Sequence, residues 1–298
     1  MRKKIRVARA AMPAARATKA ALAKELGVSR SSLYYRPRPR ADGALKAEIE
    51  AVMAGNPAYG HRRVAVALGR NRKAVRRVMR KHGLRPRLRR RFRPEKPDDA
   101  GRPESAVPNV LDGACPLFPD LVWAGDFTYV WLLGRFWYVA TAIDVRTREI
   151  VGWHVANHHT AALVVEAFRD AVRRAGRAPC WFHSDQGSEY DAEAFGELLA
   201  LHGTKASMSR KGCPWQNGFQ ESFYSNFKLE LGDAGRFAHE GELIEAVHGQ
   251  IAYYNNRRIH SALKMPPVKF RESLKQKTAA VAAPTNQTYS LALPVESV

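Results

Sequence analysis

Three carboxylates stand at positions where a carboxylate can do chemistry. Asp126 interrupts "VWAGDFTYV" (122–130), a run whose other residues suit a strand; a carboxylate taken into such a setting is costly unless it is hydrogen-bonded, paired or bound to a metal. Asp185 lies in "HSDQGSEY" (183–190), directly after the apolar Cys180-Trp181-Phe182. That puts it at the C-terminal end of a strand, where α/β sheets collect their sites, although Ser, Asp and Gly also build ordinary turns. Glu221 lies in "CPWQNGFQESFYSNFKLE" (213–230), which reads as a helix from about Pro214, and 35 residues separate it from Asp185. His183, His158 and His159 read as structural residues or DNA contacts rather than metal ligands.

The elements around these residues follow from their patterning. "LVWAGDFTYVWLL" (121–133), "RFWYVATAIDV" (135–145) and "EIVGWHV" (149–155) are rich in β-branched and aromatic residues and joined by short turns, which predicts an antiparallel meander. A helix over 160–175, a strand over 179–183, a helix over 191–201, a strand near 203–209 and the helix bearing Glu221 follow. This order predicts an α/β domain with a mixed five-stranded sheet and flanking helices. A further helix over 239–254 carries Leu243, Ile244, Val247 and Ile251 toward the sheet, and 279–298 reads as a loose tail.

The first third has a different character. Residues 1–100 hold 29 Lys+Arg and 7 Asp+Glu, net +22, which leaves 49 − 29 = 20 and 28 − 7 = 21, net −1, for residues 101–298. Such clustering is the footprint of nucleic-acid attachment, because each neutralised phosphate releases counterions. "TKAALAKELGVSRSSLYYR" (18–36) reads as helix, turn at Gly27, helix, preceded by a basic arm. Arg30, Ser31 and Tyr34 fall on the outer face of the second helix, where a helix-turn-helix presents side chains to a groove. A second helical unit follows over 41–85. Its last helix carries Val75, Val78 and Met79 as a stripe and Arg72, Lys73, Arg76, Arg77 and Arg80 on the other faces, facing a phosphate backbone. Residues 86–120 hold seven prolines and, with the basic run "RPRLRRRFR" (85–93) at their start, read as a semi-rigid basic linker.

"HSDQGSEY", "SRKG", "ESFYSNFKLE" and "YNNRRIHSALKMPPVKF" together resemble the DDE transposases and retroviral-type integrases, and most closely the OrfB-type transposases of the insertion-sequence 3 family. The resemblance covers roughly residues 20 to 272. It implies an RNase H-like catalytic core over 121–232, preceded by small all-α helix-turn-helix domains and followed by a helical extension over 233–278. It also implies that Asp126, Asp185 and Glu221 are at once catalytic residues and metal ligands. Two Mg²⁺ ions, with Mn²⁺ as the alternative, would clamp the attacking and leaving oxygens of a phosphodiester at a spacing of roughly 3.5–4 Å. Lys228, seven residues after Glu221, and Asn217 are then DNA contacts. The expected partners are double-stranded DNA, as element ends and target, further copies of the chain, and an upstream OrfA product, in the bacterial cytoplasm on the nucleoid. The sequence departs from the family at Gln216-Asn217, where Asp-Asn is expected, and at Glu189, where Gln is commoner.

Other classes are constrained. Cys115, Cys180 and Cys213 lack metal-knuckle or disulfide spacing, no apolar stretch approaches a membrane span, and no phosphate-loop motif is present. "HGLR" (82–85) offers a recombinase-like H-x-x-R, yet no tyrosine follows until Tyr129. Two readings stay open beside the transposase: a DNA-binding regulator with a non-catalytic RNase H-like domain, and a nuclease of the same fold that cleaves without joining.

Overall fold

The protein is described by a computed structural model over residues 18–25, 27–31, 41–87, 106–112 and 116–282. Five strands, β1 (Val122–Leu132), β2 (Arg135–Asp144), β3 (Ile150–Ala156), β4 (Trp181–Ser184) and β5 (Lys205–Met208), form one sheet in the order β3-β2-β1-β4-β5. The first three are antiparallel, whereas β4 pairs parallel to β1 and β5 parallel to β4. This is the mixed sheet of an RNase H-like domain. β1 is 11 residues long but meets β4 only over Val122–Ala124, so its second half has β2 as its one strand neighbour.

Alternation along β1 builds two cores. Val122, Ala124, Val130 and Leu132 face one cluster, while Trp123 and Phe127 face the other. In chain order the helices are α1 (Lys19–Glu25), α2 (Gly43–Gly55), α3 (His61–Ala67), α4 (Arg72–Lys81), α5 (Ala161–Ala175), α6 (Glu193–Leu201), α7 (Gly218–Leu231), α8 (Glu240–Asn256) and α9 (Pro267–Ala282). The first cluster packs α7 and α8 on the sheet through Phe223, Phe227, Leu243, Val247 and Ile251. The second packs α5 and α6 through Leu163, Phe168, Phe195 and Leu198. α5 can lie close because β3 carries Gly152, whose added Cβ would stand 2.3 Å from the Ala171 backbone nitrogen.

A third core joins the helical unit 43–87 to the far end of the chain. Ile49, Tyr59, Val64, Val75, Val78 and Met79 form it, and Ile259, just past α8, packs against it. The Ile259 amide donates to the Tyr59 hydroxyl at 2.6 Å, Tyr253 donates to Asn56 Oδ1 at 2.6 Å, and Arg63 donates to Ser261 Oγ at 3.2 Å. Arg258, 2% exposed, is held by Glu230 at 2.7 Å and Asn226 at 2.6 Å.

Two expectations need correction. The Pro-rich segment, read as a semi-rigid linker, is docked on the sheet domain over residues 107–111: Val110 donates to Ser207 Oγ, Pro108 accepts from the Met208 amide, and Val107 and Leu111 pack on the two cores. The start of the supposed tail is helical as far as Ala282, where the alanines of "KTAAVA" continue α9; residues 283–298 lie outside the described residues. Among the described residues no helix is long and apolar enough to cross a membrane.

Candidate active site

The site grows from the register of two parallel strands. Ala124 of β1 pairs with His183 of β4, so Asp126 and Asp185 each lie two residues further along, on strands roughly 4.8 Å apart. Asp126 is partly covered and accepts the Phe127 amide on Oδ1 at 2.7 Å. Burial, then the Asp185 charge, then that of Glu221 push its pKa up to about 8, against the lowering by the Phe127 amide and Lys228. Asp185 has an exposed edge and accepts the Gly187 amide on Oδ1 at 3.1 Å. Its carboxyl is raised by desolvation, opposed by that bond.

Glu221 comes from the first turn of α7 and is exposed. It is near enough for its charge to act on Asp126. Among the described residues no three His, Cys, Asp or Glu side chains converge as a ready-made ion cradle. The donor set itself suits a hard divalent cation: all its atoms are oxygen, and like charges disfavour the ionised form in the metal-free protein.

Beside its apolar packing, α7 is tied to the sheet by a row of polar groups that sequence reasoning missed. Gln220, fully buried, donates from Nε2 to the carbonyls of Ala124 at 2.6 Å and Thr141 at 3.0 Å, and accepts the Thr141 hydroxyl at 3.0 Å. The Tyr224 hydroxyl lies 2.7 Å from the Asp126 carbonyl and 2.8 Å from Thr141 Oγ1. Thr141 is the β2 partner of Asp126. Residues 217, 220 and 224 share one helical face; the available signal was a glutamine among aromatics beside the candidate glutamate.

Asn217 is 5% exposed and donates to the Gly125 carbonyl at 3.1 Å, which makes it part of this clamp. Gly125 leaves room for the opposite face: an added Cβ would stand 2.3 Å from Phe182 Cζ. His183 is fully buried, bonds to Ser207 Oγ at 2.9 Å, and desolvation pushes its pKa down to about 4, so it is a neutral structural residue. Glu189 meets His159 Nδ1 at 2.8 Å, and His159 stacks on Phe127. The Lys228 ammonium lies 4.3 Å from the Tyr129 ring centre.

The remaining candidate residues belong to the helical segments that precede the sheet in the chain. Arg72 is exposed, and Lys73, Arg76 and Arg77, with Arg80 and Lys81, line an open hollow of about 600 Å³ on α4. The Asn71 side chain caps that helix through the Lys73 amide at 2.8 Å. In the N-terminal unit (residues 1–44) Arg30 and Ser31 are helical and exposed, while Tyr34 lies outside the described residues.

Comparison with known proteins places the chain in a family. Residues 118–214 and 202–267 match two integrase core domain families. The chain is 34% identical over 270 residues to a 31 kDa protein of insertion element IS600 from Shigella sonnei, covering 85% of this chain and 98% of that one. The chain belongs to the DDE transposases of the insertion-sequence 3 type. The transposase of insertion sequence IS904 from Lactococcus lactis is 37% identical over 147 residues, 49% of this chain, and the chain spans 58% of that protein's length. A magnesium complex of the HTLV-2 integrase catalytic core aligns with 52% of this chain and 98% of its own, at 16% identity and a TM-score of 0.42. The transposase is a polynucleotidyl transferase.

Proposed function

We propose that Asp126, Asp185 and Glu221 form the DNA cleavage and joining site of this transposase. The matched position of Asp126 in β1 and Asp185 just past the end of β4, with the Glu221 charge acting on Asp126, carries the reading. Two Mg²⁺ ions, or Mn²⁺, held by these three groups would offset their mutual repulsion and supply Lewis acidity at the scissile phosphate. Glu221, in the first turn of α7, is the one member of the set supplied by a helix and completes it.

The chain's own residues do the positioning. Gln220 and Tyr224 tie the turn bearing Glu221 to the strand bearing Asp126. Lys228, two helical turns on, offers a cation to the DNA backbone beside the carboxylates. Asn217 acts on DNA through the backbone it holds at Gly125. Nicking adds water to phosphorus and breaks the bond to the 3′-oxygen; joining brings the freed 3′-hydroxyl to a target phosphodiester, with release of the target's own 3′-oxygen.

The division of labour follows the charge. Residues 1–40 and 41–85 bind duplex DNA, through Arg30, Ser31 and Tyr34 in the first and Arg72, Lys73, Arg76 and Arg77 in the second. Residues 121–232 cut and join, and 233–278 brace the core. The transposase works as a homo-oligomer on paired ends, alone or with an OrfA partner or fusion, in the bacterial cytoplasm on the nucleoid. Labelled element ends incubated with Mg²⁺ test the reading. Wild type yields nicked and joined strands, and Glu221→Gln yields neither while retaining DNA. Nicks without joining identify a nuclease, and binding without nicks identifies a regulator.

A further inference from the structure

Past Asp126, β1 runs on to Leu132 after β4 has ended at Ser184. Beside this stretch lies an open hollow of about 550 Å³, walled by Tyr129, Trp131 and Leu133 on one side and by Gly232 and Phe237 on the other, with Lys228 among its lining residues. The aromatic wall is poorly covered: Tyr129 and Trp131 are 55% exposed and Phe136, behind them, 43%. The rings brace one another edge to face, Tyr129–Phe136 at 5.2 Å and Trp131–Phe136 at 4.7 Å between centres, so they stand as a fixed surface. At the hairpin tip Leu133 holds φ 51° and is 62% exposed, where Asn or Gly would relieve strain and a polar residue would suit water.

Charge says what this apolar surface receives. The Lys228 ammonium lies over the Tyr129 ring at 4.3 Å, and its charge reaches Asp126. At the other end a Cβ added to Gly232 would stand 3.7 Å from Arg87 Nη1. Flat exposed rings with the Lys228 cation in the lining, Arg87 beyond Gly232 and one carboxylate, Asp233, on the opposite wall match a nucleobase with its flanking phosphate, since every base has a face to stack. The volume lies within the range of roughly 300–1,000 Å³ of small-molecule pockets. Tyr129 is three residues from Asp126, about 10 Å along an extended strand, which is the reach of one to three nucleotides.

We propose that this hollow takes a nucleobase flipped out of the DNA strand next to the scissile phosphate, stacked on Tyr129 and Trp131. The inference rests on the cleavage site assigned above and adds what the neighbouring nucleotide does. Extruding a base costs a few kcal/mol, least at an unpaired position, so a platform beside the carboxylates would fray the duplex where the strand must enter.

The test uses the full chain and duplex oligonucleotides of the terminal sequence flanking the coding segment, with 5-iododeoxyuridine placed in turn at each of the three nucleotides adjoining the cleaved bond. After irradiation, crosslinked peptides are mapped and nicking is read in the same samples. Crosslinks at Tyr129, Trp131 or Phe136 are expected, with the yield at least ten-fold lower in Tyr129→Ala/Trp131→Ala and retained in Tyr129→Phe/Trp131→Phe. Nicked DNA whose crosslinks fall only on other residues, or on none, overturns the pocket and leaves the cleavage site standing. Ridge crosslinks without nicking would remove the cleavage site instead. An alanine pair that converts an oligomer to a monomer on sedimentation would mark the ridge as a contact between copies and also overturn the proposal. Should the alanine pair fail to fold, mapping in wild type and the phenylalanine pair decides.

Discussion

Gln220 directs its side-chain amide to the carbonyls of Ala124 at 2.6 Å and Thr141 at 3.0 Å, bridging β1, which carries Asp126, and its neighbour β2. Gln220→Leu leaves both carbonyls buried without that donor, a cost of about 1–3 kcal/mol. It also frees the turn carrying Glu221. The urea midpoint should fall, and nicking should fall at least ten-fold with duplex affinity unchanged. An unaltered nicking rate would show that the clamp does not position Glu221.

Asp126 gives the pH dependence its sign. Its pKa is pushed up to about 8, by burial first and the Asp185 charge second, above the ordinary 3.8. The folded metal-free protein therefore holds a proton that the unfolded chain has lost. Its stability falls as pH rises through the interval between those values. Asp126→Asn should remove that slope and melt higher than wild type at pH 8 in EDTA, by on the order of 1–3 kcal/mol, while abolishing nicking. Added Mg²⁺ should raise the melting point of wild type more than that of the variant. Parallel pH profiles for the two proteins would contradict the assignment.

Gly125→Ala sets a methyl 2.3 Å from Phe182 Cζ. Overpacking of this kind costs typically about 1–3 kcal/mol, and here it displaces the strand next to Asp126. Chemical denaturation should show the loss, and Phe182→Leu in the same chain should restore part of it.

Arg258 and Glu230 form a buried pair, with the Arg258 side chain 2% exposed. Arg258→Met strands the carboxylate and should cost about 3–5 kcal/mol. Arg258→Met/Glu230→Leu should recover more than half of it. A double-mutant cycle with no coupling would show that the pair is idle.

The cations on α4 surround a hollow open to solvent. Replacing Arg76 or Arg80 with Ala should weaken duplex binding similarly across sequences. If each contacts one phosphate, the slope of log affinity against log salt should flatten by about one. An unchanged slope would move the phosphate contacts elsewhere.

The readable part of this protein was whatever local periodicity encodes. Alternation of Trp123 and Phe127 against Val122 and Ala124 exposed Asp126 as the misfit in its strand, and the Val75, Val78 and Met79 stripe announced α4. The clamp was not readable, because Gln220, Thr141 and Tyr224 belong to segments about 80 residues apart and make sense only once α7 lies on β2. Arg258 was illegible for a related reason: arginine reads as surface, and only the fold supplies Glu230 and Asn226 to bury it. The strap over β5 hid behind its prolines, which look like linker wherever they occur.

The joint between Tyr59 and Ile259 sets an order on biosynthesis. The basic helices leave the ribosome first, yet one wall of their interior is translated some two hundred residues later. A nascent chain stopped short of that isoleucine carries the cationic surface without its backing.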